Sequence, residues 1–202
     1  MKIPSRRQAT AIELSAVLVQ IVVEPGAGEA EVVQSLAQEL GVPAGMVQLE
    51  MLHARAFAID MALKVSLGEG READQLRDQY AARLRAADAD PDVDAWDLMQ
   101  DRLETYASVV DAQDAADLAS TVGRCFAGTF GQAAAPMAGD LMHLGSRLFG
   151  TLFEEVSALL AEIELIEVES DGDSRVLRFQ RLKQACTLSL RSLLDRIPDA
   201  GG

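Results

Sequence analysis

The chain of 202 residues is rich in apolar and acidic side chains: 49% are apolar, only 4% aromatic, and 32 acidic against 18 basic residues give a net charge of −14. So acidic a surface repels phosphate groups, and we therefore exclude nucleic acids and anionic membranes as partners. A core with so few aromatic rings is built mainly from Ala, Leu, Val, Ile and Met, which favours an all-α protein.

The sequence predicts neither a membrane span nor a secretion signal. No apolar stretch approaches the ~20 residues that a transmembrane helix needs. Basic residues precede an apolar run at the N-terminus, but Glu13 interrupts this run and no small-residue cleavage site follows it. Cys125 and Cys186 lie far apart in apolar contexts, which is typical of free, buried thiols. We therefore expect a cytoplasmic protein.

Three helices are predicted in the first third of the chain. Apolar residues at helical spacing predict a helix from about 8 to 23, which stops before the Pro-Gly pair at 25–26. A shorter amphipathic helix at 29–40 ends at Gly41. The third, at 43–67, is apolar almost all round, which is typical of a helix surrounded by other helices.

Four more helices are predicted before residue 167. A charged helix covers 72–87, and Asp90 and Pro91 are expected to start the next, at 91–110. Another begins near Asp114 and ends in the small-residue stretch GRCFAGTFG, a composition expected where helices cross closely or where the backbone bends. A long helix at 137–166 has leucines along one side and forms the second apolar spine.

The C-terminal part leaves two alternatives open. The Asp-Gly turn near 171 favours a helix–turn–helix, but a short β-hairpin over 165–179 also fits. Residues 173–202 carry six bases against three acids, so the last helix is expected to contact the acidic 154–171 region. With no linker in the sequence, we predict a single domain, 1–202: an irregular bundle of about seven or eight helices around 43–67 and 137–166.

The two histidines share an acid-x-x-His spacing, Glu50 to His53 and Asp140 to His143. Residues three apart lie on one face of a helix, and bundle di-metal proteins combine two such motifs with two further carboxylates. Glu13 precedes Glu50 by 37 residues and Glu104 precedes Asp140 by 36. This spacing raises the alternative of a degenerate internal duplication of about 8–67 and 91–166. It also yields a hypothetical Fe, Mn or Zn site with six ligands: Glu13, Glu50, His53, Glu104, Asp140 and His143.

Two other interpretations of the histidines compete with the metal site. Glu50, His53, Asp60 and Lys64 form one charged stripe, and Asp140 and His143 begin another; a charged stripe on an apolar helix usually faces water. We favour this interpretation, in which Asp60 and Lys64 make an ordinary i,i+4 ion pair. A buried, structural histidine–carboxylate pair is the third alternative.

Other motifs do not indicate a chemical activity. The segment 32–52 resembles a helix-turn-helix but contains no Lys or Arg for phosphate contacts, so we interpret it as a packing corner. Residues 88–94 alternate Asp like a calcium loop but lack its glycine and terminal glutamate. No serine or cysteine can be matched to an activating histidine. We therefore lean against an enzyme and predict no catalytic residue.

Three functional hypotheses follow from these observations. The first is a non-catalytic interaction protein, such as an adaptor or assembly chaperone, whose acidic surface meets a basic face of another protein. The second is the di-metal carboxylate bundle. The third is a small-molecule-binding bundle with an apolar pocket near GRCFAGTFG. Long apolar helices also supply self-association faces, so a homodimer is favoured over a monomer.

Overall fold

The computed structural model describes residues 7–26, 28–87, 95–111 and 117–166. They form an all-α bundle with one pair of short strands, as the composition predicted. The elements in chain order are β1 (Arg7–Ala9), α1 (Ala11–Val23), α2 (Glu29–Leu40), α3 (Ala44–Leu67), α4 (Arg71–Ala87), α5 (Ala95–Asp111), α6 (Leu118–Gly128), a 3-10 helix (Gly131–Met137), α7 (Ala138–Glu162) and β2 (Ile163–Leu165). No helix among them has the length and hydropathy that a membrane span requires.

Helix α3 is the centre of the bundle, as its apolar sequence predicted. It contacts each of the other six α-helices, and its most extensive contact is with α7, the other long helix. Buried apolar side chains of all seven helices belong to one cluster. A buried ion pair also fixes α2 to α3, with Arg55 Nη1 2.7 Å and 2.6 Å from the two carboxylate oxygens of Glu29.

Local sequence signals set several helix ends. Thr10 caps α1 through a reciprocal capping box, in which its hydroxyl accepts from the backbone N–H of Glu13 while the Glu13 carboxylate accepts from the backbone N–H of Thr10. Gly41 ends α2 in the left-handed conformation, at φ 66°. The predicted bounds of α2 are therefore confirmed, and those of α3 and α4 hold to within one residue.

The strand pair corrects two predicted helix ends. The first helix starts at Ala11 rather than residue 8, and the last long helix ends at Glu162 rather than 166. Residues Arg7–Ala9 and Ile163–Leu165 instead pair as parallel strands. Ala9 and Ile163 are buried there, at 1% and 6% exposure, so pairing between distant segments outweighs the local helical pattern.

Helices α6 and α7 make the most extensive contact in the bundle, and glycines allow it. A Cβ added to Gly123 of α6 would overlap the carbonyl oxygen of Met142 and the hydroxyl of Ser146. A Cβ on Gly145 of α7 would lie 2.6 Å from Cβ of Phe126. Within the small-residue segment 123–131, Gly123 therefore serves the predicted close helix crossing, whereas a Cβ added at Gly128 or Gly131 would meet no atom within 4 Å.

Some predictions lie outside the described residues. These are the Asp90–Pro91 start of the fifth helix, the alternatives for the turn near 171, the cationic last helix and its contacts, and Cys186. Strand β2 overlaps the first residue of the predicted β-hairpin over 165–179, but in the described residues it pairs with β1. The single domain and the internal duplication stay predictions.

Candidate functional site

A buried carboxylate on α3 organises the most polar part of the interior. Glu50 is 3% exposed, and two side chains of α5 and one following α6 bind its carboxylate. Arg102 Nε lies 3.0 Å from both of its oxygens, and Arg102 Nη2 lies 2.5 Å from Oε1. The Tyr106 hydroxyl donates to Oε1 at 2.5 Å, and the Thr129 hydroxyl donates to the same atom at 3.0 Å. Glu50 thus links α3 to both α5 and the end of α6.

The partners of Glu50 are held in place by further contacts. Arg102 Nη2 also donates to the backbone carbonyl of Cys125 at 3.1 Å, and its guanidinium lies over the Tyr106 ring, 4.6 Å from the centroid. The Tyr106 ring stacks on Phe57 of α3, with 5.2 Å between centroids. Glu50, Arg102 and Thr129 each have several polar partners and the Tyr106 hydroxyl has one, so these groups form a connected, hydrogen-bonded network.

Opposing effects set the pKa of Glu50. Burial alone would raise its pKa, but His53, the Arg102 guanidinium and the Tyr106 hydroxyl together hold the pKa below its ordinary value of 4.5. Burial and the Glu50 carboxylate raise the pKa of Tyr106, which therefore stays protonated and donates its hydrogen bond. At neutral pH the cluster therefore holds an ionised Glu50 carboxylate paired with the Arg102 guanidinium, beside a neutral Tyr106 hydroxyl.

The lowered pKa of Glu50 predicts an acid-sensitive contribution to stability. Because the folded-state pKa is depressed, the contribution is fully present above pH 4.5 and is lost as the pH falls below 4.5 through the folded-state value. We expect the free energies of unfolding of the wild type and Glu50→Gln to differ by a constant amount above about pH 5 and to converge in more acidic solution. Urea unfolding across this pH range measures the difference, and a gap that does not change with pH would contradict the assignment.

His53 lies next to this cluster but takes no part in its hydrogen bonds. Its Nδ1 atom is 3.7 Å from Glu50 Oε2, close enough to help lower the pKa of Glu50 but longer than a hydrogen bond. The side chain is 5% exposed, and neither ring nitrogen has a hydrogen-bond partner in the part of the chain that the structure describes. Among the buried side chains described here that line the site, His53 is the one whose nitrogen atoms have no hydrogen-bond partner.

A groove of about 290 Å³ opens over His53 and Glu50, between α3 and α5. Three apolar side chains on its walls are exposed: Met46 and Leu49 at 40% each, and Leu98 at 52%. The remaining lining residues are polar: Glu50, His53, Asp101, Arg102, Thr105 and Thr129. The groove therefore combines an apolar rim with a polar floor, in which most of the buried polar groups are hydrogen-bonded.

The six predicted metal ligands do not share a location. Glu50 and His53 are neighbours, whereas Glu13 serves the cap of α1, and Glu104, Asp140 and His143 are exposed. Among residues 7–26, 28–87, 95–111 and 117–166, no group of three or more His, Cys, Asp or Glu side chains could hold a metal ion. The di-metal centre therefore stays a hypothesis from the sequence, and the described residues do not bring its six ligands together.

The two acid-x-x-His motifs have different environments. Asp140 and His143 are exposed, as the favoured interpretation of a water-facing stripe expected. Lys64 and Asp60 form the expected ion pair at 2.7 Å. The same expectation was wrong for Glu50 and His53, which are buried because α5 covers their side of α3. Conversely, Leu49 and Val65 lie on the helix that the sequence predicted to be surrounded by other helices, yet they are 40% and 64% exposed.

Sequence reasoning missed the partners of Glu50. Arg102 is the only Lys or Arg between Arg85 and Arg124, and Tyr106 follows it by one helical turn. A lone arginine in so acidic a stretch is a signal for a specific buried partner. Nothing in the sequence, however, says which of the many carboxylates that partner is.

Comparisons of the chain with protein-family models, with curated proteins and with solved structures give no match.

Proposed function

We propose that this protein is a non-catalytic interaction module whose groove between α3 and α5 binds a basic segment of another protein through an apolar anchor. The proposal rests on one observation: exposed apolar side chains cluster in this groove. Of the six large apolar side chains exposed in the described residues, three line this groove: Met46, Leu49 and Leu98. Clustered apolar side chains with a polar surround are typical of interaction sites, whereas isolated ones are not.

The charge around the groove indicates the chemistry of the partner. Asp97, Asp101 and Glu104 are exposed on α5, and their spacing puts them along one side of that helix. Arg102 is the only basic side chain among the described residues that line the groove, and Glu50 already neutralises it. Lys or Arg residues flanking the anchor would therefore meet complementary charge.

The same charge argues against a second copy of the chain as the occupant. Each copy carries a net charge of −14, so a self-complex at this groove would bring like charges together. The predicted homodimer stays a prediction, and any such dimer is expected to use another face.

The size of the groove favours an anchoring side chain over a cofactor. At about 290 Å³ it lies at the lower limit of the roughly 300–1,000 Å³ that small-molecule sites occupy. Near 123–131, where the small-molecule hypothesis expected an apolar pocket, the space beside Gly123 is filled by α7. We therefore prefer the interaction module to the small-molecule-binding bundle.

A designed peptide tests the proposal directly. The probe is a fluorescein-labelled helical peptide with one central leucine anchor flanked by lysines, and the measurement is fluorescence anisotropy with purified full-length protein. We expect saturable binding that weakens roughly tenfold between 50 and 500 mM NaCl, because salt screens the charge attraction. Leu98→Lys should weaken binding at least about tenfold. It removes an apolar contact and adds a positive charge, which repels the lysines of the peptide.

Val65→Lys is the matched control. Among the described residues, Val65 is the most exposed large apolar side chain, at 64%, and it does not line the groove. The same change in charge there should leave peptide affinity within about twofold of the wild type. Equal losses in both variants, or no binding by the wild type, would contradict the proposal.

A further inference from the structure

We infer that the segment bound in the groove is an amphipathic helix, with apolar side chains every three to four residues and basic side chains along one flank only. The inference rests on the proposed function, because it specifies the partner of the same groove. Three features carry it: the length of the groove, the helical nature of its walls, and the unequal charge of those walls.

The groove follows two helices for two turns. Four of its lining residues lie on α3, from Met46 to His53, and four on α5, from Leu98 to Thr105. On each helix the four occupy positions i, i+3, i+4 and i+7, which form one face. Seven residues advance about 10 Å along a helix axis. Because a third helix packs its rows of side chains against such faces, the groove matches about two turns of a docked helix.

The walls favour a helix over an extended segment. Both are α-helices, whose backbone N–H and C=O groups bond along the helix itself, so neither wall offers the open edge with which an extended segment pairs. Polar side chains of the lining are also engaged, since Arg102 and Thr129 bond to Glu50. The Thr105 hydroxyl donates to the carbonyl of Asp101 at 2.8 Å. An extended segment would therefore lose water from its backbone groups without gaining partners, whereas a helix satisfies its own.

The two walls differ in charge. Asp97, Asp101 and Glu104 are exposed on α5 at positions i, i+4 and i+7, and Asp101 lines the groove, so an acidic line follows this wall. Within 44–53 of α3, the exposed residues are uncharged: Gly45, Met46, Gln48 and Leu49. A docked helix thus meets carboxylates on one flank and neutral side chains on the other. Its basic residues are therefore expected on the flank that faces α5.

Three fluorescein-labelled peptides of identical composition test the pattern. The first has leucines at i, i+4 and i+7 with lysines along one flank, the second has its leucines at alternate positions, and the third has its lysines on the face opposite the leucines. Anisotropy with the full-length protein gives each dissociation constant. We expect the first peptide to bind at least about tenfold more tightly than the second, which has no apolar helical face. It should bind about threefold or more tightly than the third, whose charges lie away from α5.

NMR of the first peptide, labelled with carbon-13 and bound to unlabelled protein, shows its conformation directly. We expect the Cα chemical shifts to become helical on binding over at least two turns. A proline placed in the middle of the same peptide should weaken binding about tenfold or more, because it breaks the helix.

Charge reversal on the protein tests the one-sided flank. Asp101→Lys/Glu104→Lys should weaken the first peptide about tenfold or more, and should bind a version with glutamates in place of lysines more tightly than the wild type does. Asp74→Lys/Asp78→Lys is the matched control. It makes the same change in net charge at exposed residues of α4 that do not line the groove, and should alter both affinities by no more than about threefold.

The outcomes distinguish the two proposals. Binding that is lost in Leu98→Lys but shows no preference among the three peptides overturns the helix and leaves the interaction groove in place. Extended Cα shifts in the bound peptide also overturn it. Equal losses in the two charge-reversal variants overturn the one-sided flank, and failure of every peptide to bind the wild type contradicts the groove itself.

Discussion

Replacing Gly123 with alanine is expected to lower the free energy of unfolding by about 3 kcal/mol or more. The new Cβ would overlap the Met142 carbonyl and the Ser146 hydroxyl of α7, and a backbone carbonyl inside a helix cannot move aside without disturbing its own hydrogen bonds. For a chain of 202 residues this loss corresponds to a fall in Tm of about 6 to 12 °C. Thermal unfolding followed by circular dichroism measures it.

Gly139→Ala is the matched control for this substitution. Gly139 is also in a helix, but a Cβ added there meets no atom within 4 Å. Alanine has the higher helix propensity, so this variant should be as stable as the wild type or more stable by up to about 1 kcal/mol. Equal Tm values for the two variants would show that α6 and α7 do not cross as closely as described.

Arg102→Leu is expected to cost about 3 to 5 kcal/mol, because it leaves the buried Glu50 carboxylate without its counter-charge. Glu50 is only 3% exposed, so water replaces the charge and hydrogen bonds of the guanidinium only in part. The variant should also be stabilised by acidic conditions that protonate Glu50, the opposite of the wild-type trend. Urea unfolding at two pH values measures both effects.

Two controls test whether the loss arises from the buried pair. The double variant Glu50→Leu/Arg102→Leu removes both charges and should recover much of the stability, since apolar replacement of a buried pair is often neutral. Lys64→Ala removes a base from an exposed pair, in which Lys64 is 54% exposed, and should change stability by less than about 1 kcal/mol. A double variant less stable than Arg102→Leu would contradict the assignment.

The Glu50 cluster also matters for the proposed binding site. Its hydrogen bonds connect α3, α5 and the residues after α6, so they fix the distance between the walls on which Met46, Leu49 and Leu98 lie. A groove held in this way needs little rearrangement when a segment binds, which reduces the entropic cost of association. Stability and recognition therefore depend on the same residues here.

Local sequence determined most of the helices and several of their ends. The apolar spacing of α1, α2 and α7 is a property of each segment alone, and Gly41 ends α2 because a left-handed cap suits glycine. Gly123 marked a close crossing for a similar reason, since only a residue without a Cβ permits such contact. These features depend on neighbours along the chain, which is why the sequence predicts them.

The tertiary structure decided which acid-x-x-His motif is buried. Both motifs have the same spacing, and only the packing of α5 against α3 separates Glu50 and His53 from water while Asp140 and His143 stay exposed. Arg102 is 52 residues away from the carboxylate that it binds. The strands that shorten α1 and α7 likewise need two segments about 156 residues apart. Burial and pairing of this kind depend on contacts between distant segments, and a local pattern carries no information about them.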